Sequence, residues 1–78
     1  MYVVKVYNSE GVMGLHMKGV SLDMALKGSS YIAEAIQKGE GFILSDIDTE
    51  SKVVIPAAYC QARPWTVKIF NQETEEVI

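Results

Sequence analysis

The sequence contains a single cysteine, Cys60, and a single histidine, His16, among its 78 residues. One cysteine forms no internal disulfide, whereas small secreted domains usually contain several, so we expect a cytoplasmic location. Apolar runs are only a few residues long, which excludes a membrane-spanning helix of roughly 20 residues. Residues 1–5 do not include a basic segment followed by a longer apolar stretch, so we expect no secretory signal.

Basic residues are also few. Seven Lys plus Arg stand against ten Asp plus Glu, giving a formal charge of −3, and Arg63 is the only arginine. This acidic balance disfavours nucleic-acid binding, which depends on clustered basic side chains, although a local basic face is compatible with it. The chain is 49% hydrophobic and 22% charged, which is typical of a folded protein, and its length suffices for one domain only.

Residues 2–7 and 12–18 are rich in β-forming side chains that alternate between two faces. The turn formers of residues 8–11 connect the two segments as a hairpin. On the second strand, the alternation predicts that Met13, Leu15 and Met17 face the core. It also predicts that His16 is an exposed polar residue of the opposite face.

A helix is predicted over residues 22–38, with Ser21 as its N-cap and Gly39 ending it in the left-handed conformation. The expected apolar stripe consists of Leu22, Ala25, Leu26, Ser29, Ile32, Ala33 and Ile36. Glycine costs a helix about 1 kcal/mol relative to alanine. The segment from Gly28 to Ser30 therefore leaves open whether the helix is continuous.

Residues 41–46 and 52–58 are predicted to form a second hairpin, and residues 66–70 a last strand. Pro56 lacks the N–H that a sheet requires, so the fourth strand should lie at an edge or end near this residue. The order β-β-α-β-β-β predicts an α+β fold in which one helix packs on one face of an antiparallel sheet of about five strands. This domain spans residues 1–72, and residues 73–78 form a short acidic C-terminal tail that we expect to fray.

The patterns that could hold a metal or a cofactor are incomplete. Asp46, Asp48 and Glu50 are similar to the start of a calcium loop, but the central glycine and the final glutamate of such a loop are missing. The glycines at residues 28 and 39–41 fit neither a phosphate loop nor a dinucleotide fingerprint. Catalysis by Cys60 would need His16 as its base, and the sequence does not bring the two together. We expect no catalytic residue, no cofactor and no metal site.

The segment 59–65 has the most unusual local composition, because it combines the only Arg and the only Trp with a Tyr and a Pro. Trp, Tyr and Arg are enriched at binding hot spots. The prediction is a partner-binding corner of Tyr59, Arg63, Pro64 and Trp65. The alternative for Trp65 is a position that closes one end of the core.

Three functions compete at this stage. The small size and the lack of a catalytic pattern favour a non-enzymatic interaction or regulatory module. Its predicted partners are an unknown protein and a second copy, since a symmetric dimer would bury the sheet face away from the helix. The residues expected on that face are Val3, Tyr7, Val12, Val54 and Phe70.

The alternative is a nucleic-acid-binding protein, in which exposed Tyr7 or Phe70 stacks on bases. The basic residues that this alternative would use are Lys5, Lys18, Lys52, Arg63 and Lys68. A small enzyme that depends on the Cys60 thiol or on His16 ranks last, because it would need a cleft that perturbs their pKa values.

Overall fold

The computed structural model describes residues 1–8, 11–46, 49–58 and 65–78, apart from the side chains of Val12 and Met13. The elements within these residues are β1 (Tyr2–Asn8), β2 (Gly11–Val20), α1 (Leu22–Lys38), β3 (Phe42–Ser45), β4 (Lys52–Ile55) and β5 (Thr66–Asn71). The strands form one antiparallel sheet in the order β4-β3-β2-β1-β5, and α1 packs against it. The predicted α+β fold and element order are confirmed.

The ends of α1 are those predicted from the sequence. The Ser21 hydroxyl accepts a hydrogen bond from the Met24 N–H at 3.3 Å, which satisfies one of the free donors of the first turn. Gly39 has a φ of 73°, and its N–H donates to the Ile36 carbonyl at 3.1 Å. Between these caps the helix is continuous through Gly28, which answers the question that the sequence left open.

The face that α1 buries differs from the expected stripe. The buried helical residues are Ala25, Gly28, Ile32 and Ala35. Ala25 and Ile32 were expected there, but Leu22 and Leu26 are 36% and 49% exposed, so their predicted core positions are wrong. The buried face is lined mainly by small residues, which let the helix backbone approach the sheet closely and turn the two leucines outward.

Strand β2 contains a bulge at His16. Val4 pairs with Met17, whereas the next residue of β1, Lys5, pairs with Leu15. One extra residue in β2 shifts the alternation, so the side chains of Leu15 and Met17 lie on opposite faces of the sheet. Met17 packs beside Val4 under the helix, and the prediction that Leu15 also faces this core is wrong.

The bulge also changes the surroundings of His16, which is half-buried instead of exposed as predicted. Its ring stacks on the ring of Tyr31 in α1, with centroids 6.0 Å apart and an interplanar angle of 15°. The imidazole therefore lies between sheet and helix. The predicted orientation of Met13 concerns a side chain outside the described residues.

The core lies between α1 and the sheet and has two clusters of buried side chains. The larger consists of Val6, Ile32, Ala35, Phe42, Leu44 and Ile55, and the smaller of Val4, Ala25 and Ile69. Strand residues with even numbers in β1 and β3 face the helix, while those with odd numbers face away from it. This alternation provides a second sheet face that α1 does not cover.

The two edges of the sheet are formed by β4 and β5. Strand β4 ends at Ile55, directly before Pro56, so both predicted consequences of the proline are observed. Strand β5 is longer, and residues of the C-terminal tail lie along part of it. The Ile78 N–H donates to the Ile69 carbonyl at 2.9 Å, and the Asn71 N–H donates to Glu76 at 2.9 Å. In contrast to the expected fraying, these bonds hold the acidic tail on the sheet.

Candidate functional site

The register of the sheet aligns lysines from distant parts of the chain. Directly opposed residues in an antiparallel sheet share a face, and the pairings run from β5 across β1, β2 and β3 to β4. The resulting row on the face away from α1 consists of Lys68, Lys5, Leu15, Ser45 and Lys52. We call this face the open sheet face.

At one end of the row, two lysines cross over two aromatic rings. The Lys5 Nζ lies 4.8 Å from the centroid of the Phe70 ring, and the Lys68 Nζ lies 5.3 Å from that of Tyr7. The two rings are 6.3 Å apart and tilted by 43°. We call these four residues the lysine–aromatic cluster. Within the part of the chain that the structure describes, no carboxylate forms an ion pair with either lysine.

A groove of about 490 Å³ adjoins the cluster. Val3 and Leu15, which are both buried, line it together with Phe70, and Lys5 and Lys18 are its basic residues. A volume of this size is typical of small-molecule sites, although this groove is open to solvent. It extends the apolar surface of the cluster toward β2, and the acidic residue Glu75 also lines it.

The charges of the helix are arranged differently from those of the open sheet face. On α1, Lys27 pairs with Asp23 at 3.5 Å and Lys38 pairs with Glu34 at 2.7 Å. The remaining lysines of the sequence are Lys5, Lys18, Lys52 and Lys68, and all four lie on the open sheet face. Lys18 forms an ion pair with Glu50, so within the described residues the lysines of this face that form no ion pair are Lys5, Lys52 and Lys68.

The other end of the open sheet face is apolar. Ile43 of β3 and Val54 of β4 lie directly opposite each other, and they are 55% and 68% exposed. We call this pair the Ile43–Val54 patch. Exposed apolar side chains that adjoin across two strands are typical of a surface that binds another protein.

His16 and two carboxylates border a smaller cavity of about 220 Å³. Burial lowers the pKa of His16, and a hydrogen bond with the Ile43 backbone opposes this effect. The two carboxylates belong to Asp46, whose Oδ1 accepts the Thr49 N–H at 3.0 Å, and to Glu50. The His16 ring itself packs against Tyr31 of α1 and is hydrogen-bonded to the Ile43 backbone.

The carboxylates of the predicted calcium-like pattern have structural partners. Glu50 forms an ion pair with Lys18, and this hydrogen-bonded cation lowers the pKa of the Glu50 carboxyl. Asp46 closes the turn after β3 through its bond to Thr49. Asp48 lies outside the described residues, and among those described no cluster of three potential metal ligands occurs.

The predicted partner-binding corner is described only in part. Tyr59, Arg63 and Pro64 lie outside the described residues, as does Cys60. The half-buried Trp65 contacts Phe42 in an edge-to-face arrangement, with centroids 5.5 Å apart and an interplanar angle of 85°. This packing supports the alternative in which Trp65 closes one end of the core, while the binding role of the corner stays a prediction.

Of the five residues predicted on the face away from the helix, the structure shows Val3, Tyr7, Val54 and Phe70 there, and the side chain of Val12 lies outside the described residues. Sequence reasoning also named Lys5, Lys52 and Lys68 for the nucleic-acid alternative, but it did not predict that they align in one row across the sheet. Strand periodicity assigns each lysine to a face of its own strand, but it does not say that β5 lies beside β1. Only that pairing brings Lys5 and Lys68 together.

Comparisons with known proteins do not extend this description. No protein family, curated protein or solved structure that was compared matches the chain. Across the residues that the structure describes, no helix has both the length and the apolar character needed to cross a membrane. The fold and the surface together define a small α+β domain with one helix-covered and one open sheet face.

Proposed function

We propose that this protein is a non-enzymatic interaction or regulatory module that binds partners through the open sheet face. The observation that supports the proposal is the exposure of the Ile43–Val54 patch on a face that α1 leaves uncovered. The His16 ring stacks on Tyr31 and is hydrogen-bonded to the Ile43 backbone, which gives this side chain a packing role. The single cysteine supports a cytoplasmic location.

The first partner we propose is a second copy of the chain. A two-fold axis through the Ile43–Val54 patch would bring these residues against their own counterparts. It would keep the lysine–aromatic clusters of the two copies apart, at opposite ends of the interface. Lys52 lies on the same face of β4 as Val54, so the two copies of Lys52 would lie at the margin of this interface.

The expected dimer is weak. Covering a side chain that is more than half exposed contributes about 1 to 2 kcal/mol, and the patch offers Ile43 and Val54 from each copy. The sum of about 4 to 8 kcal/mol is comparable with the association cost of about 4 to 15 kcal/mol. The net gain is at most about 4 kcal/mol, which corresponds to a dissociation constant of about 1 mM, so only part of the protein should dimerise at high micromolar concentration.

Light scattering coupled to size exclusion tests this proposal over a concentration series. We expect the average mass of the wild-type protein to rise above the monomer mass at high micromolar concentration and Val54→Ser to remain monomeric. Leu26→Ser is the matched control, because Leu26 is 49% exposed but lies on α1, and it should dimerise like the wild type. A monomeric wild type, or a Val54→Ser protein that still dimerises, would contradict the proposed interface.

The corner of Tyr59, Arg63, Pro64 and Trp65 remains our proposed contact for an unrelated protein partner. Its support is compositional, since an arginine and two large aromatic residues next to a proline combine binding groups with a restrained backbone. The position of Trp65 against Phe42 would anchor this segment to the core. The corner and the Ile43–Val54 patch therefore serve different partners in this proposal.

A further inference from the structure

We propose that the lysine–aromatic cluster binds single-stranded nucleic acid, with Lys5 and Lys68 on backbone phosphates and Tyr7 and Phe70 stacked against bases. This inference rests on the proposed role of the open sheet face in binding, and it does not require the dimer.

The first argument is the unfavourable placement of two like charges. Lys5 and Lys68 lie directly opposite each other on neighbouring strands, where like charges destabilise a sheet. In the described part of the chain their ammonium groups lie over aromatic rings, and no described carboxylate forms an ion pair with them. Two successive phosphates of a bound strand would neutralise both lysines.

The second argument is the shape of the positive charge. The row continues across the sheet to Lys52 on β4, which is four strand spacings from Lys68. At about 4.8 Å per spacing, the lysines extend over roughly 19 Å. Leu15 and Ser45 separate Lys52 from the Lys5–Lys68 pair, so only an extended polyanion could reach all three lysines.

The third argument is the position of the rings. Tyr7 and Phe70 flank the lysine pair diagonally, and each is half-buried with its ring covered by an ammonium group. If the lysines turn toward phosphates, the rings become available to bases. Aromatic side chains on a sheet stack on unpaired bases, and this contact tolerates any sequence. The combination favours single-stranded nucleic acid over an acidic peptide, which has no bases to stack.

The expected binding is weak and depends on salt. If the site neutralises two or three phosphates of a single strand, the slope of log affinity against log salt is about −1.4 to −2.1. The affinity should then fall by roughly tenfold between 50 and 200 mM salt. The net charge of −3 opposes long-range attraction between the protein and a nucleic acid. The lysine row must therefore provide the local attraction that positions the strand on this face.

Fluorescence anisotropy with labelled oligo(dT) and oligo(U) tests the proposal, with a duplex of equal length and polyglutamate as competing occupants. Lys5→Gln and Lys68→Gln should each weaken binding by roughly 3- to 10-fold and make the salt slope shallower by about 0.7. Lys27→Gln is the matched control, because this lysine lies on α1, and it should bind like the wild type. Phe70→Leu should weaken binding without changing the salt slope.

Melting temperatures of all variants show whether any loss of binding reflects unfolding. Lys5→Gln removes both a repulsion with Lys68 and a contact with the Phe70 ring, and because these effects oppose each other the melting temperature should change little. Absence of single-strand binding by folded wild type, equal binding of polyglutamate, or an equal loss in Lys27→Gln would each overturn the proposal. Val54→Ser should keep the wild-type affinity per chain, which separates a failure of the dimer from a failure of this site.

Discussion

Replacing Gly28 by alanine tests how closely α1 approaches the sheet. A Cβ at this position would lie 2.4 Å from Met17 Cε, 2.8 Å from Met17 Sδ and 3.1 Å from His16 Cδ2. The first two distances are too short for any real contact, so the methionine must move. On helix propensity alone, the same substitution should stabilise the protein by about 1 kcal/mol.

The packing effect should exceed the propensity effect. Inserting a methyl group into a filled core costs about 1 to 3 kcal/mol, and methionine is flexible enough to avoid the upper end of that range. The imidazole of His16 restricts where the Met17 side chain can go. Taking about 2 kcal/mol for the repacking, we expect Gly28→Ala to destabilise the fold by about 1 kcal/mol, or roughly 4 to 8 °C in melting temperature.

Urea denaturation of a double-mutant cycle with Met17→Ala gives the decisive measurement. Once the methionine is shortened, Gly28→Ala should stabilise by about 1 kcal/mol, so the coupling between the two sites should be about 2 kcal/mol. Ser30→Ala is the control, because Ser30 is exposed on the same helix and should gain about 0.5 kcal/mol. If Gly28→Ala is as stabilising in the wild type as in Met17→Ala, the close approach is refuted.

Three further predictions follow from packing, protonation and composition. Ile32→Ala should lower the free energy of unfolding in denaturant by about 2 to 5 kcal/mol because Ile32 is fully buried. Leu26 is exposed, so Leu26→Ala should change it by no more than about 0.5 kcal/mol. Equal losses in the two variants would contradict the assigned helix face. The pKa of His16 is lowered in the folded protein, so the unfolded chain takes up the proton first and the free energy of unfolding should fall as pH drops through about 6.5. His16→Gln should lose less stability than the wild type between pH 8 and pH 5. Identical pH profiles of the two proteins would count against this effect of burial. Arg63→Ala should keep the wild-type melting temperature and reduce the affinity for a protein partner. Trp65→Ala should lose up to about 3 kcal/mol of stability because Trp65 packs against Phe42. Full partner affinity in Arg63→Ala would show that the corner is not a binding site.

The secondary structure was predictable because its signals are local. The caps of α1 depend on the side chain of Ser21 and on the φ that Gly39 adopts. Pro56 ends β4 because it cannot donate a backbone hydrogen bond. The strand alternations of residues 2–7 and 66–70 each describe one strand and its two faces. These effects act within a few residues, so a single sequence contains them.

The helix face and the bulge required the tertiary structure. A continuous helix can turn several combinations of residues toward a sheet, and the small side chains near Gly28 select the one with the closest approach. The extra residue at His16 is invisible to a two-residue period, yet it places Leu15 and Met17 on opposite faces. The buried face of α1 and the bulge in β2 depend on contacts between the helix and the strands, and not on the local conformational preferences of either element.

The candidate site depends both on local sequence patterns and on tertiary contacts. The sequence alone determined that Lys5 and Tyr7 share one face of the first strand, and that Lys68 and Phe70 share one face of the last. Only the tertiary structure decided that these strands are neighbours and that their faces coincide. Pairing between opposite ends of the chain depends on the burial of the whole core, which no local period records.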